Sequence, residues 1–327
     1  MNIAVIGLGS MGKRRIRLLQ GEFPNIRLIG IDGNETRKQE VNGNFRINTY
    51  SNLLEASSEN LDAVIISTSP LSHEALIKEA LGFGLHVFTE INLLNHYYEE
   101  VMADAEHQNL HLYLSSTFLH RKEIQYIQKA VSRDTKATYR YHVGQYLPDW
   151  HPWESYKDFF VSNKSTNACR EIFAIEMPWI VATFGNITDV SVNKSKISDL
   201  EIDYPDAYSL ILKHDSGIHG TLNVNVVSRE SKRELDIIGE NTQLCWKGTP
   251  SSLEEWSNTS NKMESIELYE SFTHHKEYAA NIIEEAYLEE IKEFVGLVRG
   301  EVKQTKYSFK QDKTVIDWID VFEEGIF

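Results

Sequence analysis

With 327 residues, the chain is long enough for roughly two domains. Its 33 basic and 48 acidic residues leave a net charge of −15, which argues against a broad nucleic-acid-binding face and against docking on anionic membranes. No apolar run approaches the ~20 residues of a bilayer span. The two cysteines form no CxxC pair, and the first residues lack a charged n-region, so a reduced, cytoplasmic setting without a signal peptide is expected.

The first third alternates strand and helix signals. Ile3-Ala4-Val5-Ile6 is a short apolar run of buried-strand type. A helix follows, with Met11, Ile16, Leu18 and Leu19 inside and Lys13, Arg14 and Arg17 outside. Strands are predicted at about 27–31, 63–67, 86–89 and 110–114, a short helix at Leu53-Leu54, and helices at about 73–83 and 97–108. Gly84 suits the C′ position of the former helix. Buried apolar strands separated by helices predict a parallel sheet covered on both faces.

After about residue 118 the pattern changes. Leu210-Leu212, the turn Asp215-Ser216-Gly217 and Leu222-Val224-Val226 predict a β-hairpin with one wet face. Further strands are expected at about 135–142 and 233–238, and a surface loop at 249–261. A helix from about 168 to 184 is apolar nearly all round, which predicts burial. Near the end, Ile283, Tyr287, Ile291, Phe294 and Val298 share a helix face opposite a solvated face with Glu284, Glu285, Glu289, Glu290 and Lys292. The fold class is therefore α/β: a doubly wound parallel sheet over 1–118, then an α+β domain with a largely antiparallel sheet over 119–327.

Gly7-x-Gly9-x-x-Gly12 joins the first strand to the first helix. The first glycine makes a tight turn, the second lets backbone approach a pyrophosphate, and the third lets helix pack close to strand. With Ser10 and Met11 it forms a phosphate-binding turn at a helix N-terminus. The second strand ends in Asp32, whose carboxylate suits the adenosine ribose hydroxyls and repels a 2′-phosphate. NAD is expected rather than NADP. Arg37 is a candidate for stacking on adenine, with an exposed helix arginine as the alternative.

Four segments carry a family likeness: 3–12, Asp62 to His73, Gly84 to Glu90, and Tyr287 to Phe294. They resemble the glucose–fructose oxidoreductase, inositol dehydrogenase and MocA family. The resemblance implies a Rossmann domain, a second domain with an open antiparallel sheet, a nicotinamide in the cleft between them, and homodimers or homotetramers. It implies that Thr68, Leu71 and His73 lie along the cofactor and that Glu90 lies beside the nicotinamide ribose. For His73, helix capping or packing is the alternative.

The likeness breaks where the family reads Glu-Lys-Pro, because the chain reads Glu90-Ile91-Asn92. The lysine commonly contacts the reacting hydroxyl, and an isoleucine has no proton to give. By the resemblance, Glu171 matches an aspartate that faces the nicotinamide, while the partner histidine position falls on Ile175. Arg170, Glu171 and Glu176 are therefore candidates for a catalytic set, with a structural ion pair from Arg170 to Glu171 or Glu176 as the alternative. Asn92 is a candidate for the carboxamide or a substrate hydroxyl.

The stretch from 144 to 160 holds two prolines and reads as an irregular loop. Its Tyr146, Trp150, Trp153 and Tyr156 suit sugar faces, and Lys157 suits a hydroxyl. If the loop reaches the cleft, His151, Tyr146 or Lys157 could take the place of the missing lysine as proton donor or acceptor, with His151 ahead of Lys157. Packing of the rings under the second sheet is the alternative. No metal site is expected, since His214 and His219 lack ligand spacing. The resulting expectation is an NAD(H)-dependent oxidoreductase acting on a small-molecule carbohydrate. A non-catalytic NAD- or sugar-binding sensor or scaffold, and NAD-dependent glycosidase-type chemistry, are the alternatives.

Overall fold

The computed structural model describes residues 1–151, 154–270 and 283–325. The chain forms two compact units. The first comprises Met1–Thr117 and Ala286–Thr314, and the second comprises Phe118–Glu285 and Val315–Phe327. No helix among the described residues is long and apolar enough to cross a membrane.

In the first unit, strands β1 (Asn2–Ile6), β2 (Arg27–Ile31), β3 (Asn48–Tyr50), β4 (Ala63–Ile66), β5 (His86–Thr89) and β6 (Leu112–Leu114) form one sheet in the order β3-β2-β1-β4-β5-β6. Every neighbouring pair is parallel. The order reverses between β1 and β4, which opens a crevice at their carboxyl ends. The connecting helices are α1 (Ser10–Glu22), α2 (Glu35–Phe45), α3 (His73–Gly82) and α4 (Tyr98–His107). Ile3 and Val5 of β1, Ile65 of β4 and Phe88 of β5 meet Ile16 and Leu19 of α1 in a fully buried core.

That core also takes in Ile291, Phe294 and Val295 of α7 (Glu284–Val298), so this late helix completes the first unit's packing. Phe294 lies edge-on to Phe88 at 5.5 Å and tilted to Tyr113 at 5.8 Å. One strand escapes sequence reading. β3 is only three residues long, Asn48-Thr49-Tyr50, and sits at the sheet edge, where the apolar signal is absent. Leu53-Leu54 lies in a turn before a 3₁₀ segment at Glu55–Glu59 rather than on a helix.

The second unit is an eight-stranded sheet built from β7 (Ala137–Gly144), β8 (Ile187–Ser195), β9 (Ala207–His214), β10 (His219–Asn225), β11 (Lys232–Gly239), β12 (Gln243–Trp246), β13 (Glu254–Ser257) and β14 (Lys262–Ser265). Their order is β14-β13-β12-β11-β7-β10-β9-β8, antiparallel except for the β7–β10 pair. β8 was not expected, because its residues beyond Ile187 are mostly solvent-facing. The expected loop at 249–261 contains β13 and its turn into β14, an edge hairpin whose polar composition hid its strands.

Alternation decides which face is covered. Tyr208, Leu210 and Leu212 of β9 point inward, while Ser209, Ile211 and Lys213 point out. The inner face meets α6 (Ala168–Phe184), and α5 (Lys122–Val131) and α8 (Phe309–Glu324) complete the helices. Phe173 of α6 packs on Tyr208, and Trp179 packs on Tyr141 of β7. Twelve of the 17 residues of α6 are buried, as its all-round apolar character requires.

Removing the ring that α7 places in the first core gives a direct measure of this docking. Phe294→Ala is expected to destabilise the protein by about 3–5 kcal/mol in urea unfolding.

Candidate functional site

The glycine turn sits at the reversal of strand order. Gly7 has φ of +91°, and a Cβ there would lie 2.7 Å from the Ser67 carbonyl oxygen. A Cβ on Gly12 would lie 1.9 Å from the Gly7 carbonyl oxygen, so side chains are excluded at both positions. At Gly9 a Cβ meets nothing within 4 Å. The second glycine therefore borders open space, where a phosphate can approach backbone. Gly9 is also the N-cap of α1, and no side chain caps that end. The amides of Ser10, Met11 and Gly12 have no intrahelical acceptor and carry the positive end of the helix dipole.

Asp32 follows β2 and is braced from two sides. Its Oδ2 accepts from Leu8 N at 2.8 Å and its Oδ1 from Asn34 N at 2.8 Å. The carboxylate thus fixes the glycine turn to the end of β2 and retains lone pairs for ribose hydroxyls. Arg37 points to the same carboxylate, with Nη1 3.6 Å from Oδ2. Gly7, Gly9, Asp32, Arg37, Thr68 and Ser69 border a groove of about 470 Å³, with Leu53, Ala75 and Leu76 as apolar wall. An open glycine, free helix amides and a buried-edge carboxylate along one groove fit a dinucleotide.

Behind the turn lies a network that the sequence did not announce. Arg15 of α1 is fully buried. It donates to Glu90 through Nε at 2.7 Å and Nη2 at 2.9 Å, and from Nη2 to Glu290 of α7 at 2.9 Å. Its guanidinium carbon lies 4.6 Å from the Phe88 ring centroid. Glu290 in turn accepts from Ser115 Oγ at 2.9 Å, Ser116 N at 2.7 Å and Thr117 Oγ1 at 3.1 Å. Burial opposes the Arg15 charge, but the two carboxylates outweigh it and hold its pKa above the ordinary value. Burial pushes Glu290 up despite Arg15. Glu290 is thus not on a solvated face, since it is 0% exposed. Both residues could have been found from periodicity: Arg15 shares the stripe of Gly12 and Leu19, and Glu290 that of Tyr287 and Phe294.

His73 and Asn92 lie inside the wall, and Leu71 lies at the surface. His73 and Asn92 are 0% and 1% exposed, and they engage each other. The imidazole Nε2 lies 3.1 Å from the Thr68 carbonyl oxygen, and Nδ1 lies 2.6 Å from Asn92 Oδ1. Burial holds the imidazole pKa below its usual value. The pair stiffens the wall at Thr68 from behind. Leu71 is 49% exposed on the turn Pro70–Ser72. Glu90 is spanned by Arg15, with 13% of its side chain exposed.

In the second unit the charges of α6 separate into distinct roles. Arg170 pairs with neither Glu171 nor Glu176. It binds Asp320 at 2.7 Å and Glu323 at 2.5 Å on α8. Glu176 accepts from Arg233 Nη2 at 2.6 Å, Tyr141 Oη at 2.7 Å and Trp179 Nε1 at 2.7 Å. Both are spent on the fold, because each buried charge is neutralised by a partner from a distant segment. Glu171 differs. Its Oε2 is buried with no hydrogen-bond partner among the described residues, and burial pushes its pKa up to about 7.

The 144–160 loop is partly self-engaged. Lys157 pairs with Glu201 at 2.6 Å, and Tyr156 Oη accepts from Glu201 N at 3.1 Å. His151 Nδ1 lies 2.9 Å from Glu154, and its ring packs on Phe159. Tyr146 lies under the Arg229 guanidinium at 3.6 Å. Trp150 has a buried Nε1 without a partner among the described residues. Trp153 lies outside the described residues.

Residues 1–106 match the oxidoreductase family GFO_IDH_MocA, NAD-binding Rossmann fold. The whole chain superposes on several solved structures. GenD2 from gentamicin A biosynthesis, in complex with NAD, is 15% identical with a TM-score of 0.78 over 99% of this chain and 93% of that one. UDP-N-acetylglucosamine 3-dehydrogenase GnnA from Acidithiobacillus ferrooxidans is 17% identical with a TM-score of 0.78 over 100% and 97%. An oxidoreductase from Agrobacterium radiobacter, in complex with NAD⁺, L-tartaric acid and magnesium, is 14% identical with a TM-score of 0.79 over 99% and 96%. At these identities the likeness establishes the shared fold.

Two substitutions test this geometry. Asp32→Ala is expected to weaken NAD binding about tenfold or more in calorimetry and to narrow the preference over NADP. Arg15→Met leaves two buried carboxylates without their cation. It is expected to destabilise the protein by about 3–5 kcal/mol in urea unfolding. The loss should shrink as pH falls, because burial already pushes Glu290 toward its neutral form and a proton there relieves the unpaired charge.

Proposed function

We infer, for a chain whose amino-terminal domain is an NAD-binding Rossmann domain of the GFO_IDH_MocA oxidoreductase family, that it transfers a hydride to or from a CH–OH carbon of a sugar derivative. Nucleotide- or amino-sugars of surface polysaccharide synthesis are the substrates we favour. The observation that carries the reading is the groove itself: an open Gly9, uncapped helix amides and a braced Asp32 aligned for a dinucleotide. NAD(H), when bound there, supplies the hydride acceptor or donor. Gly7, Gly9 and the α1 amides hold its diphosphate, and Asp32 holds the adenosine ribose.

Proton transfer needs a side chain, because Ile91 occupies the position of the usual lysine. We assign it to Glu171. Its pKa near 7 matches a group that both takes and returns a proton at neutral pH. The carboxylate form accepts the hydroxyl proton during oxidation, and the acid form returns one during reduction. Arg170 and Glu176 serve the framework. The loop bearing Tyr146, Trp150, His151 and Lys157 supplies rings and polar groups for the sugar. A second reading is a cofactor- and sugar-binding sensor, favoured by Ile91 alone.

Glu171→Gln is expected to lower kcat about 10²–10⁴-fold on an active sugar, with NADH absorbance as readout. In the wild-type protein, alcohol oxidation should rise with pH through an inflection near 7, and the variant should lose that inflection. A raised carboxyl pKa adds stability at low pH that is lost as pH rises from the unfolded value, about 4.5, to about 7. Glu171→Gln should therefore raise the thermal midpoint at pH 8 relative to the wild-type protein and change it little at pH 4. Binding of NADH without turnover across UDP- and CMP-linked sugars would favour the sensor.

A further inference from the structure

The second unit holds six arginines: Arg121, Arg133, Arg140, Arg170, Arg229 and Arg233. Five are paired with carboxylates: Arg121 with Glu123, Arg133 with Glu255, Arg140 with Asp236, Arg170 with Asp320 and Glu323, and Arg233 with Glu176. Arg229 has no carboxylate partner among the described residues, although it is exposed in a chain of net charge −15. The adjacent Glu230 faces Lys232 instead, at 3.7 Å.

Arg229 is nevertheless held in place. Its guanidinium carbon lies 3.6 Å from the centroid of the Tyr146 ring. A guanidinium stacked on a ring keeps its N–H edge free for a bidentate acceptor. The backbone on both sides is pinned. Gln145 N and Leu147 N donate to the carbonyls of Asn225 and Val226 at 3.2 and 2.9 Å. The turn leading to Arg229 is closed by Asn225 Oδ1, which accepts from Val227 N at 3.1 Å, Ser228 N at 3.0 Å and Ser228 Oγ at 2.9 Å. The same amide donates to His142 Nε2 at 2.9 Å. Gly144 makes this approach possible, since a Cβ there would lie 2.5 Å from Ser228 Oγ.

We propose that Arg229, stacked on Tyr146, is an anion-recognition residue that selects a substrate carrying a paired-oxygen acidic group, a phosphoryl or a carboxylate. A planar fork with five donors matches two oxygens of either group. Lysine at this place would supply charge without the fork. The inference rests on the substrate-loop reading above and deepens it: the sugar derivative is acidic, as a nucleoside diphosphate sugar or as a sugar acid.

The test is calorimetric titration of the full-length, NADH-saturated protein with UDP, with glucuronate and with neutral N-acetylglucosamine. The wild-type protein should bind at least one of the two anions more tightly than the neutral sugar, and the better one identifies the source of the charge. Arg229→Met should weaken that anion about tenfold to hundredfold, and Arg229→Lys should weaken it less. Unchanged NADH affinity in both variants verifies folding. Anion affinities within twofold of wild type in Arg229→Met, or no binding of either anion at millimolar concentration, would overturn the proposal. Because these titrations read binding alone, absence of hydride transfer on every sugar would defeat the oxidoreductase reading and leave this result standing.

Discussion

The first unit is organised around one guanidinium. Arg15 stands between Glu90 at the end of β5 and Glu290 on α7, all within a packed core. Taking three charges out of water is expensive, and the arrangement persists because every charge meets an opposite one with hydrogen bonds in good geometry. Arg15 lies one turn beyond the glycine turn, so whatever fixes Arg15 also fixes the helix end that faces the groove. Glu290 passes the constraint onward by accepting from Ser115, Ser116 and Thr117 beyond β6. The carboxyl ends of β1, β5 and β6 are thereby tied to one another through side chains as well as through the sheet.

On that frame, the groove is built from residues that border it and residues that hold those in place. Asp32 does both, since it braces Leu8 and presents its carboxylate to the groove. His73, held by Asn92, braces Thr68 from inside the wall. The same division recurs in the second unit. Glu176 is consumed by Arg233, Tyr141 and Trp179, whereas Glu171, five residues earlier on the same helix, keeps an oxygen unpartnered. Burial without a partner is what brings the Glu171 carboxyl toward neutral pH.

The sequence was most legible where signals are local. The apolar runs of β1, β4 and β5 and the alternation in β9 and β10 each announce a strand. β3, β8, β13 and β14 do not, because strands at or near a sheet edge carry polar residues that resemble loops. The groove residues Gly7, Gly9 and Asp32 could be read from spacing, and Thr68 from the resemblance. The positions of His73, Leu71 and Asn92 relative to it could not, because a residue number along a turn does not say which way its side chain faces. Arg15 and Glu290 were passed over because charged residues in helices usually face solvent, and only their place on the apolar stripes argued otherwise.

By itself the sequence determined a parallel β/α sheet with a dinucleotide turn and an acid at the end of its second strand, followed by a mainly antiparallel domain. Those features follow from steric demands on consecutive residues and from the periods of helix and strand. Only the tertiary structure decided the partners of the charges. Arg15 and Glu290 are 275 positions apart, and Glu176 and Arg233 are 57 apart. Which acid is neutralised, and which is left to titrate near pH 7, depends on burial and on neighbours delivered by remote segments. No local pattern encodes that choice.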